Sequence, residues 1–137
     1  MAQAINFYRT DDEYGCFSNF APYPIELKGR KFSCTEHEEA IRSVKSPMTA
    51  ARMGRDRRRS LRPDWETVKD GVMRETVRAK FRQHPEPCET LFETSYAIIV
   101  EHTERDSYWG DGGDGSGKNM LGRTIMEIRQ ELQDMSL

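Results

Sequence analysis

Between Tyr108 and Gly122 the chain reads Tyr-Trp-Gly-Asp-Gly-Gly-Asp-Gly-Ser-Gly-Lys-Asn-Met-Leu-Gly, which puts six of its ten glycines into one short stretch. Glycine pays more backbone entropy on ordering than any other residue, so such a stretch is a loop and not the interior of a helix or strand. It runs straight into an amphipathic pattern at Leu121, Ile125, Ile128 and Leu132, the mark of a helix. Glycine backbones reach positive φ and approach a ligand closely, and a loop delivered onto a helix N-terminus aims unpaired N–H groups at an anion. Trp109 and Gly110 supply a flat face and a bare backbone, Asp111 a carboxylate, and Asn119 either a helix cap or a ligand contact. A flexible surface loop has the same composition. The tryptophan and the two aspartates favour a site for something planar joined to phosphate or sugar.

A chain of 137 residues has room for one domain with one core. Its formal net charge of −2 disfavours a general nucleic-acid binder, which is usually basic. Cys16, Cys34 and Cys88 form no CxxC pair and are odd in number, which fits reduced thiols in the cytosol better than a disulfide framework. His37, His84 and His102 lack metal-ligand spacing, so neither a metal nor a cofactor is expected. No apolar run approaches the ~20 residues that span a bilayer.

Strands are expected at Ala4–Tyr8, at Ala97–Val100, and in a hairpin whose arms, Ile25–Lys28 and Lys31–Cys34, flank Gly29-Arg30. Thr35-Glu36-His37-Glu38 fits a capping box, with Ala40, Ile41 and Val44 as the apolar face that follows. Further helices are expected from Ser46-Pro47, from Pro63-Asp64 to His84-Pro85, and over Glu86 to Glu93. The interleaving describes a helix-rich α+β domain with a small sheet.

Several constellations could carry chemistry. Arg52, Arg55, Arg57, Arg58, Arg59 and Arg62 form a basic run that is either a solvated face or, through Arg52 and Arg55, a bidentate phosphate site. Glu36 at a helix start is favoured as an ionised carboxylate, suited to stabilising a cation, but on position alone it reads first as an ordinary first-turn acid. Trp65 lies on an apolar stripe of the core. Phe17-Ser18-Asn19-Phe20 mixes rings and hydrogen-bonding groups in a way that suits a heterocycle or a packed turn.

Asn6-Phe7-Tyr8, Phe17-Ser18-Asn19-Phe20, Ser46-Pro47, Ala50-Ala51-Arg52-Met53-Gly54-Arg55, Met73, Lys80-Phe81, Glu101, Trp109-Gly110-Asp111-Gly112 and Asn119-Met120-Leu121-Gly122 together resemble the NADAR family. The likeness runs over nearly the whole chain in the right order. It implies an N-glycosidase acting on phosphoribosylamino-pyrimidine intermediates of riboflavin biosynthesis; other members remove ADP-ribose from guanine bases, the one route by which nucleic acid would be a partner. Carried over by motif, Glu36 is the essential acid, with Asp111 beside it. Phe17, Ser18, Asn19, Arg52, Arg55, Trp65, Trp109, Gly110 and Asn119 would bind a phosphoribosyl or ADP-ribosyl substrate. The chemistry suits an oxocarbenium-like transition state, which a nearby carboxylate stabilises. One departure stands out. Family members follow Glu-His with Tyr-Phe-Gln-Ala-x-Lys-Phe, whereas Glu36-His37 here runs into Glu38-Glu39-Ala40, leaving the segment about a dozen residues, or three helical turns, short. Either residues 35–46 form a helix that turns Glu36 toward Trp109 and Asp111, or the family's acid is missing and the chain only binds nucleotide or ADP-ribose.

Overall fold

A computed structural model of the chain describes residues 4–19, 21, 23–27, 30–32 and 65–135. Their elements are β1 (Ala4–Phe7), a 3-10 turn (Gly15–Phe17), β2 (Ile25–Leu27), β3 (Arg30–Phe32), α1 (Trp65–Gln83), α2 (Pro85–Glu93), β4 (Ile98–Glu101) and α3 (Met120–Met135). This is the α+β composition expected. The helices expected between residues 35 and 64, and Lys28, Gly29, Ser33 and Cys34 of the expected hairpin, lie outside the described residues.

The chain divides into two compact units, one made of Met1–Ser18 with Pro85–Leu137 and the other of Asn19–His84. In the first, β1 and β4 pair in parallel, with Ala4 opposite Ile98 and Phe7 opposite Glu101. Parallel strands need a long crossover, and here the whole of the second unit lies between them in sequence. Ile5, Phe7 and Ile99 alternate inward from the two strands. Against that face α3 lays Leu121, Ile125 and Ile128, at the spacing read from the sequence. Gly122 brings helix and strand together, since a Cβ there would collide with the Ile99 carbonyl. Buried Arg129 on α3 donates to Thr94 Oγ1 at 2.9 Å and so ties the helix to the turn after α2.

In the second unit β2 and β3 form an antiparallel hairpin, and α1 packs on β2. The buried stripe of α1 is Met73, Thr76, Val77, Lys80 and Phe81, a helical i, i+3, i+4 progression in which two members are polar. Thr76 satisfies its hydroxyl on the Met73 carbonyl at 3.0 Å. Helix α1 ends where His84 precedes Pro85, whose ring disfavours helical geometry at the residue before it.

Five boundaries differ from expectation. β1 stops at Phe7 because the N–H groups of Tyr8 and Arg9 turn to Asp12 Oδ2, at 3.2 and 2.8 Å. β4 starts one residue later than expected, since the Ala97 N–H closes a turn onto Thr94 O at 2.9 Å, and it extends to Glu101. Arg30 pairs with Leu27 and belongs to β3, not to the turn. Pro85 opens α2 because the first helical position needs no N–H donor.

Two glycines give opposed expectations. Gly122→Ala should lower stability by about 1–3 kcal/mol through overpacking against β4. Gly71→Ala, in an exposed turn of α1 with nothing near its Cβ position, should raise it by roughly 0.5–1 kcal/mol. Thermal unfolding of the two variants beside the wild type checks both signs.

Candidate functional site

Parallel strands finish at the same end of their sheet, and the loops that follow them there are the usual seat of a ligand in α/β architectures. After β1 come the 3-10 turn and Phe17-Ser18; after β4 comes the glycine-rich loop, residues 102–119. The fold therefore brings two separate expected site segments to one end of the sheet. Phe17 lies edge-on to Phe7, with ring centroids 5.9 Å apart, and stacks on Tyr14 at 5.8 Å. Its ring is buried, as is Ser18.

The outer edge of β4, away from β1, has no third strand among the described residues. Side chains and backbone of the loop take a strand's place. Asn119 Nδ2 donates to Ile99 O at 2.9 Å, and the Glu101 N–H donates to Asn119 Oδ1 at 3.0 Å. One step along, the Asp111 N–H donates to Glu101 O at 2.9 Å, and the Thr103 N–H donates to Asp111 Oδ1 at 3.0 Å. Residues 99, 101 and 103 are the alternate positions that face this edge, so the loop satisfies it without supplying a β-strand. Asn119 adopts φ +51°, which asparagine tolerates better than most residues, and its carbonyl accepts the first i→i+4 bond of α3 from Arg123 at 2.9 Å.

Asp111 is the hub of this arrangement. Its Oδ1 accepts from both Thr103 N and Gly113 N, at 3.0 and 2.9 Å, while Oδ2 accepts from His102 Nδ1 at 2.8 Å. Burial by itself would raise the Asp111 carboxyl; the bonds from His102, Gly113 and Thr103 outweigh it and hold the group below the ordinary carboxylate range. Gly113 reaches φ +88° to make its bond. At Gly110 a Cβ would stand 2.7 Å from the Thr103 methyl and 2.9 Å from Glu101 O. That residue is glycine because the loop lies directly on the strand.

Trp109 is half-buried, edge-on to Tyr108 at 4.8 Å, and its N–H and that of Tyr108 both donate to Asp106 Oδ1, at 2.8 and 2.9 Å. The carbonyls of Gly110, Tyr108 and Trp109 accept the N–H groups of Asn119, Met120 and Leu121 at 2.9, 2.9 and 3.0 Å. This corrects the expectation that the loop aims open helix N–H groups at an anion: the loop folds back and uses those donors itself.

In the second unit Asn19 is buried and donates from Nδ2 to the Met73 sulfur at 3.3 Å. Trp65 is the first residue of α1. Glu36, Arg52 and Arg55 lie outside the described residues. Three groups were given no role by the sequence reading, although Lys80 and Glu101 are among the residues that carry the family resemblance. Lys80 is 1% exposed, with Nζ 5.7 Å from the Tyr23 ring and 5.6 Å from that of Phe81. Glu101 is buried at the end of β4, and His102 is half-exposed beside Asp111. The signal for Lys80 was its helical spacing from Met73 and Val77, and for Glu101 its inward alternation from Ile99. Among the described residues no three acidic, histidine or cysteine side chains converge as a metal site, and no helix is long and apolar enough to cross a membrane.

The NADAR domain profile matches residues 25–133. The N-glycosidase YbiA of Escherichia coli is 53% identical over 140 residues, covering 93% of this chain and 88% of that protein. Since 93% of 137 residues is about 127, about a dozen positions of that relative have no counterpart here, the size of the shortening read after Glu36-His37. A riboflavin biosynthesis protein of Vibrio vulnificus is 35% identical and covers 98% of this chain, which spans 40% of that protein. The NMR structure of E. coli YbiA superposes with a TM-score of 0.88 at 50% identity, over 99% of this chain and 89% of that one.

The depressed Asp111 carboxyl sets a pH dependence. Its folded value lies below the unfolded value of about 3.9, so its contribution is complete above that pH and is lost as pH falls through the folded value. Amide exchange at Thr103 and Gly113 should stay slow at neutral pH and accelerate only in strong acid. Asp111→Ala should make both amides exchange rapidly at neutral pH and cost about 2–4 kcal/mol, the worth of overlapping hydrogen bonds to a charged group. Unchanged protection in that variant would mean the loop is held by other contacts.

Proposed function

The chain belongs to the NADAR family, and from that membership we propose that it is an N-glycosidase cleaving the C–N bond between a ribose phosphate and an aminopyrimidine, in an intermediate of riboflavin biosynthesis. The observation that carries the reading is the 53% identity to an N-glycosidase over 93% of the chain. The site geometry is consistent with this reading. Phe17-Ser18 and the Trp109 loop stand at the carboxyl end of the parallel strands, the end at which open α/β sheets usually receive a ligand.

In this reading Glu36 is the carboxylate that stabilises positive charge as it develops on the ribose, and Arg52 and Arg55 hold the phosphate. The aromatic faces of Trp65 and Trp109 orient the leaving base. Asp111 and Asn119 act through the loop they lock, because their polar side-chain atoms are already bonded to the backbone of β4, to Gly113 and to His102. Gly110 serves by absence, letting the Trp109 segment lie flat against the strand.

The test is to incubate the protein with a phosphoribosylamino-pyrimidine and follow ribose 5-phosphate. Turnover is expected; tight binding without release would instead identify a binding module. Glu36→Gln should cut kcat at least 100-fold while leaving affinity within about tenfold, since the charge matters only as the cation forms. A variant with wild-type kcat would make Glu36 a helix cap.

Replacing both Arg52 and Arg55 with Ala should weaken the phosphorylated compound by ~2–4 kcal/mol and leave its dephosphorylated form nearly unaffected. Equal losses for the two compounds would assign these arginines to the fold.

A further inference from the structure

The residue that follows β4 is held by its backbone and by its ring, with one atom left over. The His102 N–H donates to Phe7 O, at the end of β1, at 2.8 Å, and the next N–H, that of Thr103, donates to Asp111 Oδ1 at 3.0 Å. Bonds to the peptide groups on both sides of a residue set the direction of its Cα–Cβ vector, which is what a reacting side chain requires. The same carboxylate also takes the ring, with Asp111 Oδ2 2.8 Å from His102 Nδ1. Gly113 N holds Asp111 in turn, at 2.9 Å. The atom left over is Nε2, which has no hydrogen-bond partner among the described residues and belongs to a side chain 52% exposed.

The chemistry of the pair assigns the ring's two nitrogens. Asp111 is held below the ordinary carboxylate range, so at neutral pH its oxygens only accept, and Nδ1 is the donor. Nε2 is then the nitrogen that gains and loses a proton. An imidazole oriented by a carboxylate and open to solvent at its far nitrogen is the arrangement of a general acid–base group. The loop has other clamps. Thr103 and Gly113 already bond Asp111, and Asp106 and Asp114 hold turns of their own. Phe7, whose carbonyl receives His102, also carries the Phe17 ring, and Asp111 lies two residues beyond Trp109. His102 is thus bonded to the end of β1 on one side and to the glycine-rich loop on the other, at the end of the sheet that both segments reach.

We propose that His102 is a catalytic acid–base residue whose Nε2 delivers the proton to the departing amine; the inference rests on the N-glycosidase reading above. The ring starts protonated on both nitrogens, with the Asp111 carboxylate balancing its charge. The C–N bond breaks with its electron pair leaving on the amine nitrogen, which takes the Nε2 proton. The water oxygen bonds to the ribose C1, and the proton that water loses returns to Nε2. Ribose 5-phosphate and the free amine leave, and the imidazolium is restored. Nδ1 keeps its proton on Asp111 throughout.

The experiment uses the full chain and a phosphoribosylamino-pyrimidine, with ribose 5-phosphate release, substrate Kd and amide exchange measured separately. The amide nitrogen of His102→Asn can stand where Nδ1 does and keep the bond to Asp111, so this variant removes Nε2 alone. It should lose about 100-fold or more in kcat with Kd within about fivefold of wild type, and with the Thr103 and Gly113 amides as protected as before. His102→Ala should regain about tenfold in rate when imidazole is added, because the free base can occupy the vacated space and carry the proton. A merely structural clamp predicts the reverse, faster exchange at those two amides and no rescue. The proposal is overturned if His102→Asn turns over within about threefold of wild type. It is equally overturned if either variant loses activity through weaker binding or a loosened loop and imidazole restores nothing. A wild-type protein that releases no ribose 5-phosphate sinks both this proposal and the reading beneath it; an active wild type with an active His102→Asn sinks this one alone.

Discussion

An outer strand edge left open beside α3 would expose the backbone groups of Ile99, Glu101 and Thr103 with nothing to receive them. In this protein a carboxylate, a carboxamide and one loop peptide receive them instead. Everything at this end of the unit depends on that substitution. It sets where the loop lies, which face of Gly110 meets the strand, and how Trp109 is presented. It also starts α3, since Asn119 bonds β4 with its side chain and Arg123 with its carbonyl. One residue thus couples strand, loop and helix. Loss of the Asn119 amide would leave two buried backbone groups of β4 unpaired, a heavier penalty than the loss of an ordinary surface contact.

The same constraint divides labour among acids that look alike in the sequence. Asp111 sits in a Trp-Gly-Asp-Gly context that invites a catalytic role, yet every polar atom of its side chain is engaged in holding the loop. Glu101, which the family resemblance includes without a role, is buried on the inward face of β4. Hydrogen bonds from several donors outweigh the burial of Asp111 and keep it ionised, which is what a structural hub requires. The glycines follow suit. Gly113 is needed for its positive φ, whereas Gly110 and Gly122 are needed because a neighbouring chain occupies the space of a side chain.

Much of the fold was legible from periodicity. The stripes on α1 and α3, the break at His84-Pro85 and the parallel pair's two short apolar runs all follow from residue order, and the elements appear within a residue or two of expectation. The polar members of the α1 stripe were not legible. Thr76 and Lys80 occupy buried helical positions that an apolar pattern leaves blank, and only packing against the second unit's own core reveals them. The site was legible as a set of segments, because glycine density and aromatic residues mark a loop. It was not legible as a division of roles, because a side chain's partners lie far away in sequence: Asn119 meets Ile99, and Asp111 meets Thr103.

Residue order by itself determined the helix stripes, the loop and the family, since each depends on local spacing or on a motif carried by consecutive residues. Only the tertiary structure decided that the loop's helix donors are filled from within, that Asp111 is bound at both oxygens, and that Glu101 faces inward. The physical reason is the same in each case. A hydrogen-bonding group has no assigned partner until the chain folds back on itself, and β4's edge is completed by residues that follow it by as many as twenty positions.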